Sequence, residues 1–457
     1  MLSTELVRLM LGKQANGLSE KISAKTRLHI IDTFGISLAA ARGSPVAEMV
    51  LASLCYGGAS GVCRVIGHAQ RLPPAFAAMA NSALAHTMDY DDIHDIARIH
   101  PTAVTLPAAL AAAALSGRKG DAVIEAVALG NELMCRLGVM LKALGTGPGA
   151  DWFLSQLFGY LGGTLAAGLV LGLSEAEQVA AQGLAYMQLA GGKEAAFGVG
   201  ANSRSIYTGF AAMGGVQAAL LAKAGMVGPD SSMDGKAGML SLYLNTRPSQ
   251  EQLGELLRAD GWTWGEAGLK PWPCCRSSHA YVSVALGLSR KVAAEQIERV
   301  TVAVNASGAR LCNPIEHRRK PKTLPDAKYS IPYVTAFALV KGRVDLQTLN
   351  EDALADPDVA RIADRVDFDE SLVEKPGPAP AQITILLKDG SSVSARLSSG
   401  LMLSDEEVRA KFVSCLGYAG MGERAQSTWQ QFQRLDELGI DDIFDALQAP
   451  SAPGSKG

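Results

Sequence analysis

Three of the seven histidines, His86, His94 and His100, fall within fifteen residues, in the run AHTMDYDDIHDIARIHPTA with Asp89, Asp91, Asp92 and Asp95. Imidazoles and carboxylates crowded between apolar helices are costly to bury unless paired or functional. Three chemistries suit them: a metal site, a structural polar network capping helices, or a general acid/base cluster in which a carboxylate tunes a histidine. The spacing matches no standard zinc or iron motif. The acid/base reading is preferred.

Three further stretches could bind or react. GLKPWPCCRSSHA, 268–280, offers Lys270, Arg276 and a histidine on a proline-stiffened loop, suited to a small anion, with Cys275 beside Arg276. GANSRSIYTGFAAMGG, 200–215, opens a helix from a Gly/Ser/Asn loop near Arg204 and lacks the ending of a P-loop. KYSIPYVTAFAL, 328–339, starts an apolar helix with Tyr333 after a proline.

The elements that must position these residues are mostly helices. Apolar residues recur at helical spacing over 22–41, and 72–88, 102–117, 121–144, 157–173, 175–190, 208–225 and 249–259 behave similarly. Several are apolar all round, as buried helices are. Ser174 with Glu177 three residues on predicts a capping box. After Trp272 the texture changes. Residues 297–307 alternate as a strand, and 381–387 with 392–397 flank Asp389-Gly390, a hairpin signal. Helices are expected at 276–291, about 330–342 and about 347–354, and again from Asp405. The expected division is a helical part over 1–266, an α+β part over 267–402, helices over 403–450 that rejoin the first part, and a disordered tail, 451–457.

Composition narrows the classes. Only 19% of the 457 residues are charged and the net charge is -3, which argues against a nucleic-acid surface. The seven cysteines are scattered with no C-x-x-C pair, as in a reduced cytoplasmic protein. The N-terminal stretch carries charges among its apolar residues, unlike a signal peptide, and the apolar runs fall short of a membrane span. A soluble protein without a membrane partner is expected.

These stretches, with IIDTFGISLAA at 30–40 and KFVSCLGYAG near 411, resemble in order the motifs of the MmgE/PrpD family over essentially the whole chain. The resemblance implies a large all-helical domain built from both chain ends and a smaller α+β lid, with the active site between them. It also implies a homodimer needing no metal or organic cofactor. The family includes 2-methylcitrate dehydratases, cis-aconitate decarboxylases and iminodisuccinate epimerases, so it implies proton transfer beside a carboxylate of a small polycarboxylate. A dehydratase-type lyase is the expectation, with decarboxylase, epimerase and non-catalytic anion binder as alternatives.

Residue by residue, the resemblance implies catalytic roles for Asp89, His100, Lys270 and Tyr333. Lys270 and Arg204 are expected to bind carboxylates, with Arg276 and Cys275 beside them. Other positions depart from the family's pattern. Ile93 stands where a threonine is usual, Phe153 and Tyr207 where histidines are common, and Arg204 where a lysine is. An arginine keeps the charge but does not donate a proton at neutral pH. The site has lost two imidazoles and gained apolar surface, so a substrate with fewer carboxylates is expected.

Overall fold

The structure is a computed structural model that describes residues 1–142, 147–196, 202–398 and 401–448. The tail expected to be disordered, 451–457, lies outside the described residues, as do the first residues of the 200–215 loop.

Near-continuous apolar sequence produces buried helices. Pro74–His86, Thr102–Ser116, Gly159–Leu171 and Tyr207–Lys223 pack on one another, with Gly120–Leu141 against Gly159–Leu171. Glycines permit the close crossings: a Cβ on Gly215 would lie 2.8 Å from the Thr164 backbone nitrogen, and one on Gly130 2.8 Å from the Gly162 carbonyl. Glu175–Tyr186 opens with the Ser174–Glu177 capping box. Leu154–Leu171 is long and apolar enough to cross a membrane and is 94% buried inside the molecule, as a core segment would be.

The helical body joins both ends of the chain. Asp405–Tyr418 packs on Glu20–Gly43, and one core runs from Leu2 to Leu269 and again from Val408 to Leu447. Lys411 donates to Asp32 across this junction at 2.9 Å.

Two short strands, β1 (Cys63–Arg64) and β2 (Arg71–Leu72), pair antiparallel in the body. The α+β lid has its own core, from Cys274 to Ile385. Its sheet, from β3 (Ile297–Ala303), β4 (Val366–Asp369), β5 (Ala381–Leu387) and β6 (Ser392–Leu397), runs in the order β4-β3-β5-β6. β3 and β4 are parallel, and the other pairs antiparallel. Helices His279–Ser289 and Ile331–Lys341 pack together and against the sheet. The 387–391 turn uses Gly390 at φ +84°.

Three expectations shift. The strand expected to 307 stops at Ala303, because Asn305 caps a helical turn by accepting from the Gly308 N–H at 2.9 Å. The helix expected near 347–354 is a 3-10 turn, Glu351–Ala355. β4 was not expected: an alternation of apolar and acidic residues only four long is too short to stand out as a strand.

Candidate active site

The loop between Pro74–His86 and Thr102–Ser116 enters the seam between body and lid. Asp89 (φ +54°) and Arg98 (φ +57°) are left-handed there, a conformation other residues avoid without compensating contacts. The loop is pinned at Ile93, whose backbone exchanges two hydrogen bonds with Gly268 at 2.9 and 2.8 Å. Asp92 anchors it to the body, accepting from the Thr102 hydroxyl at 2.5 Å and bonding His29 at 3.0 Å.

A cavity of about 240 Å³ opens at the seam. The body contributes Asp89, Ile93, His100, Phe153 and Tyr207, and the lid side contributes Cys275, Arg276 and Tyr329. A small organic acid fits such a volume.

His100 is oriented by its surroundings. Its Nδ1 lies 2.6 Å from the Asp92 carbonyl, an oxygen that only accepts. Nδ1 therefore carries the proton, and Nε2 keeps its lone pair. Burial pushes the pKa down to about 4 against the pull of Asp91, and Lys270 and His86 add to the depression. At neutral pH His100 is an uncharged base.

Behind it, His86 Nδ1 and Asp91 Oδ2 are 2.7 Å apart. Burial works against the charge of Asp91, but His86, His100 and Lys270 outweigh it and hold the carboxyl well below its usual range. Lys270 is fully buried and donates to Asp89 Oδ1 at 2.6 Å and to the Asp89 carbonyl at 3.1 Å. Burial alone would lower its pKa, yet Asp89 and Asp91 raise it.

The rest of the wall is aromatic. Tyr207 stacks on Phe153 with centroids 4.4 Å apart and meets His86 edge-on at 4.6 Å. Burial raises both Tyr207 and Tyr329 well above the usual phenol range, so both are neutral donors.

The structure places the remaining expected residues unevenly. Tyr333 is outside the cavity: its hydroxyl donates to the Ala353 carbonyl at 2.7 Å inside the lid core, and Tyr329, one turn earlier, faces the site instead. Arg204 is not in the lining: it donates to the Pro325 carbonyl at 2.6 Å and covers the ring of Tyr329 at 3.5 Å. Lys270 stands behind Asp89 rather than in the lining. Cys275 lines the cavity as a neutral thiol, its pKa raised by burial and by Asp89. Arg276 is in the lining with its guanidinium held by both oxygens of Asp95, at 2.8 and 2.7 Å.

The sequence reading also missed cations. Arg98, Lys193, Arg310 and Lys375 join Arg276 in the lining, against the carboxylates Asp89, Asp95 and Glu374. Arg98 lay in the flagged run, but Lys193, in GGKEAAF, had no motif to mark it.

Among the described residues, His86, Asp91 and His100 have donor atoms within 4.8 Å of one another and could hold a metal ion. His94 is not part of that group, since its Nε2 lies 3.1 Å from the Thr263 carbonyl.

A helical body and an α+β lid enclose a buried imidazole–carboxylate cluster, an arrangement with the groups needed for proton transfer. The model of the MmgE/PrpD N-terminal domain matches residues 4–252, that of the MmgE/PrpD C-terminal domain matches residues 272–437, and the chain belongs to this family. It is similar to the cis-aconitate decarboxylase of Aspergillus terreus, 26% identical over 422 residues, covering 85% of this chain and 84% of that protein. A cis-aconitate decarboxylase-like protein of Aspergillus oryzae is 29% identical over 388 residues, 77% of each chain. The human cis-aconitate decarboxylase is 25% identical over 404 residues, 84% of this chain and 81% of that one. The relatives and the family support a lyase at the level of the family, without specifying the substrate.

Proposed function

We propose that this chain is a cofactor-independent, dehydratase-type lyase. Its substrate is a small hydroxy polycarboxylate, and His100 removes the proton beside one carboxylate. The observation that carries this reading is the state of His100, a neutral imidazole whose Nδ1 is tied to the Asp92 carbonyl and whose ring borders the cavity. Such a ring accepts a proton; it does not store one.

The steps balance. Nε2 takes the proton from the carbon beside the carboxylate, and the electron pair left on that carbon is delocalised into the carboxylate, whose charge the lining cations offset. The pair then forms the C=C bond as the C–O bond at the next carbon breaks. Tyr329, a neutral phenol, protonates the departing hydroxide to water, and the imidazolium proton then passes by way of solvent to the Tyr329 phenolate, restoring both groups. Asp89 and Lys270 hold the loop that carries the base. Ile93, Phe153 and Tyr207 give the substrate an apolar wall. A cytoplasmic homodimer belongs to the same proposal.

A second reading, decarboxylation, is favoured by the names of the relatives. There the C–CO₂ bond breaks first and the carbanion must be given a proton. A histidine held neutral is poorly suited to that, and Tyr329 would have to supply it.

Proton NMR in D2O with a panel of hydroxy, unsaturated and imino polycarboxylates separates the readings. Loss of water from a hydroxy acid, with deuterium entering beside its carboxylate, is the expected result. Release of CO2 from an unsaturated acid would replace dehydration with decarboxylation. A panel left unchanged would count against catalysis.

A further inference from the structure

Lys193 is set into the cavity wall by its backbone. Its N–H donates to the Asp151 carbonyl at 2.8 Å, and the Phe153 N–H donates to the Gly191 carbonyl at 2.7 Å, so residues 191–193 lie against 151–153. Its ammonium makes one described hydrogen bond, a long one of 3.3 Å to the Ala150 carbonyl.

The carboxylates of the lining are engaged elsewhere. Asp89 holds Lys270, Asp95 holds Arg276, and Glu374 holds Arg98 at 2.8 Å. Arg98 reaches the lid from its left-handed position, also donating to the Ser307 hydroxyl at 3.0 Å, and Arg310 adds lid charge to the same wall. Burial lowers the pKa of Lys193, and the charges of Arg98 and Arg310 lower it further. A bound anion would relieve both costs.

Lys193 and His100 line the same cavity from different segments of the body: His100 ends the loop that follows Pro74–His86, and Lys193 comes from the 191–193 stretch laid against 151–153. Arg204, the cation expected to bind a carboxylate, is not in the lining, and Lys193 is.

We propose that Lys193, backed by Arg98 and Arg310, is the subsite for a second carboxylate of the substrate, other than the one beside the carbon that His100 deprotonates. This rests on the polycarboxylate reading above and adds where the far charge is held.

The test is calorimetric binding of propane-1,2,3-tricarboxylate to the full chain, which needs no turnover. Lys193→Met is expected to weaken binding by about 10- to 100-fold, the loss of one charge-assisted contact, while Lys193→Arg restores most of it. Lys193→Gln serves as the second variant if Lys193→Met fails to keep the wild-type melting temperature. Equal affinity in the wild type and the neutral variants would overturn the subsite and leave the role of His100 standing. Failure of the wild type to bind would overturn it too, as would tighter binding of inorganic phosphate than of the tricarboxylate.

Discussion

At the scale of single residues, tautomer and desolvation together give His100 its role. The Asp92 carbonyl can only accept, so the lone pair is assigned to the other nitrogen, and burial keeps the ring neutral. A pH prediction follows. The depressed pKa of about 4 means that the free enzyme keeps its base unprotonated well below the ordinary histidine value. The acid limb of kcat/KM is therefore expected near 4, and a limb at about 6.5, the value of an unperturbed histidine, would contradict it. Stability from the same group is lost on the same, acid side, but over a wider window. The unfolded chain takes up the proton first as pH falls, so the contribution is full above about 6.5 and is lost between there and about 4. An unfolding control across that window keeps the two effects apart. Asp89 and His100 could be flagged from the sequence because they sit in a recognisable run, and Ile93 and Phe153 because they depart from the family's pattern. Tyr329 and Tyr333 share one motif, and only the packing of Tyr333 into the lid core separates them. Lys193 was illegible because its importance comes from the loop pairing that delivers it to the cavity, which no local pattern records.

At the scale of elements, the long apolar helices were legible because burial on every side leaves a strong compositional mark. Their crossings were less so, since they depend on which glycines meet which backbones. Gly215 faces Gly163 and Thr164, and a methyl there has backbone on the other side, which cannot rotate away. Gly215→Ala is expected to destabilise the fold by about 1–3 kcal/mol, the usual range for overpacking. Gly254 supplies the contrast: it lies within the Gln250–Leu256 helix and a Cβ there meets nothing within 4 Å. Gly254→Ala is expected to stabilise slightly, by up to about 1 kcal/mol, from helix propensity alone. Melting temperatures of the two variants should move in opposite directions, and a shift of the same sign in both would defeat the packing argument. β4 escaped notice for a similar reason, because its pairing with β3 is a long-range event that four residues cannot announce.

At the scale of the whole molecule, the two chain ends brace the site. Lys411, on the C-terminal Asp405–Tyr418 helix, donates to Asp32 of Glu20–Gly43 at 2.9 Å and to the Tyr90 carbonyl, next to Asp89, at 2.8 Å. Burial raises Asp32 to about 6, with Lys411 opposing it, so the pair is a costly one that requires both partners. Lys411→Met is expected to cost about 3–5 kcal/mol by leaving Asp32 unpaired, and Asp32→Leu/Lys411→Met to recover much of it. Chemical denaturation of the single and double variants checks this, and an unaffected single variant would mean the ends do not brace the loop. The broad division into body and lid was readable from the change of texture after Trp272; the closing of the body by its far end was implied by the family resemblance and is visible here as one shared core. The central claim remains that His100 removes a proton beside a carboxylate, and the most direct measurement is deuterium exchange at that carbon. Wild-type enzyme and His100→Gln would be incubated in D2O with the hydroxy acid found to turn over. Exchange slowed by at least about 100-fold in the folded variant is the predicted result, and exchange at the wild-type rate would place the base elsewhere.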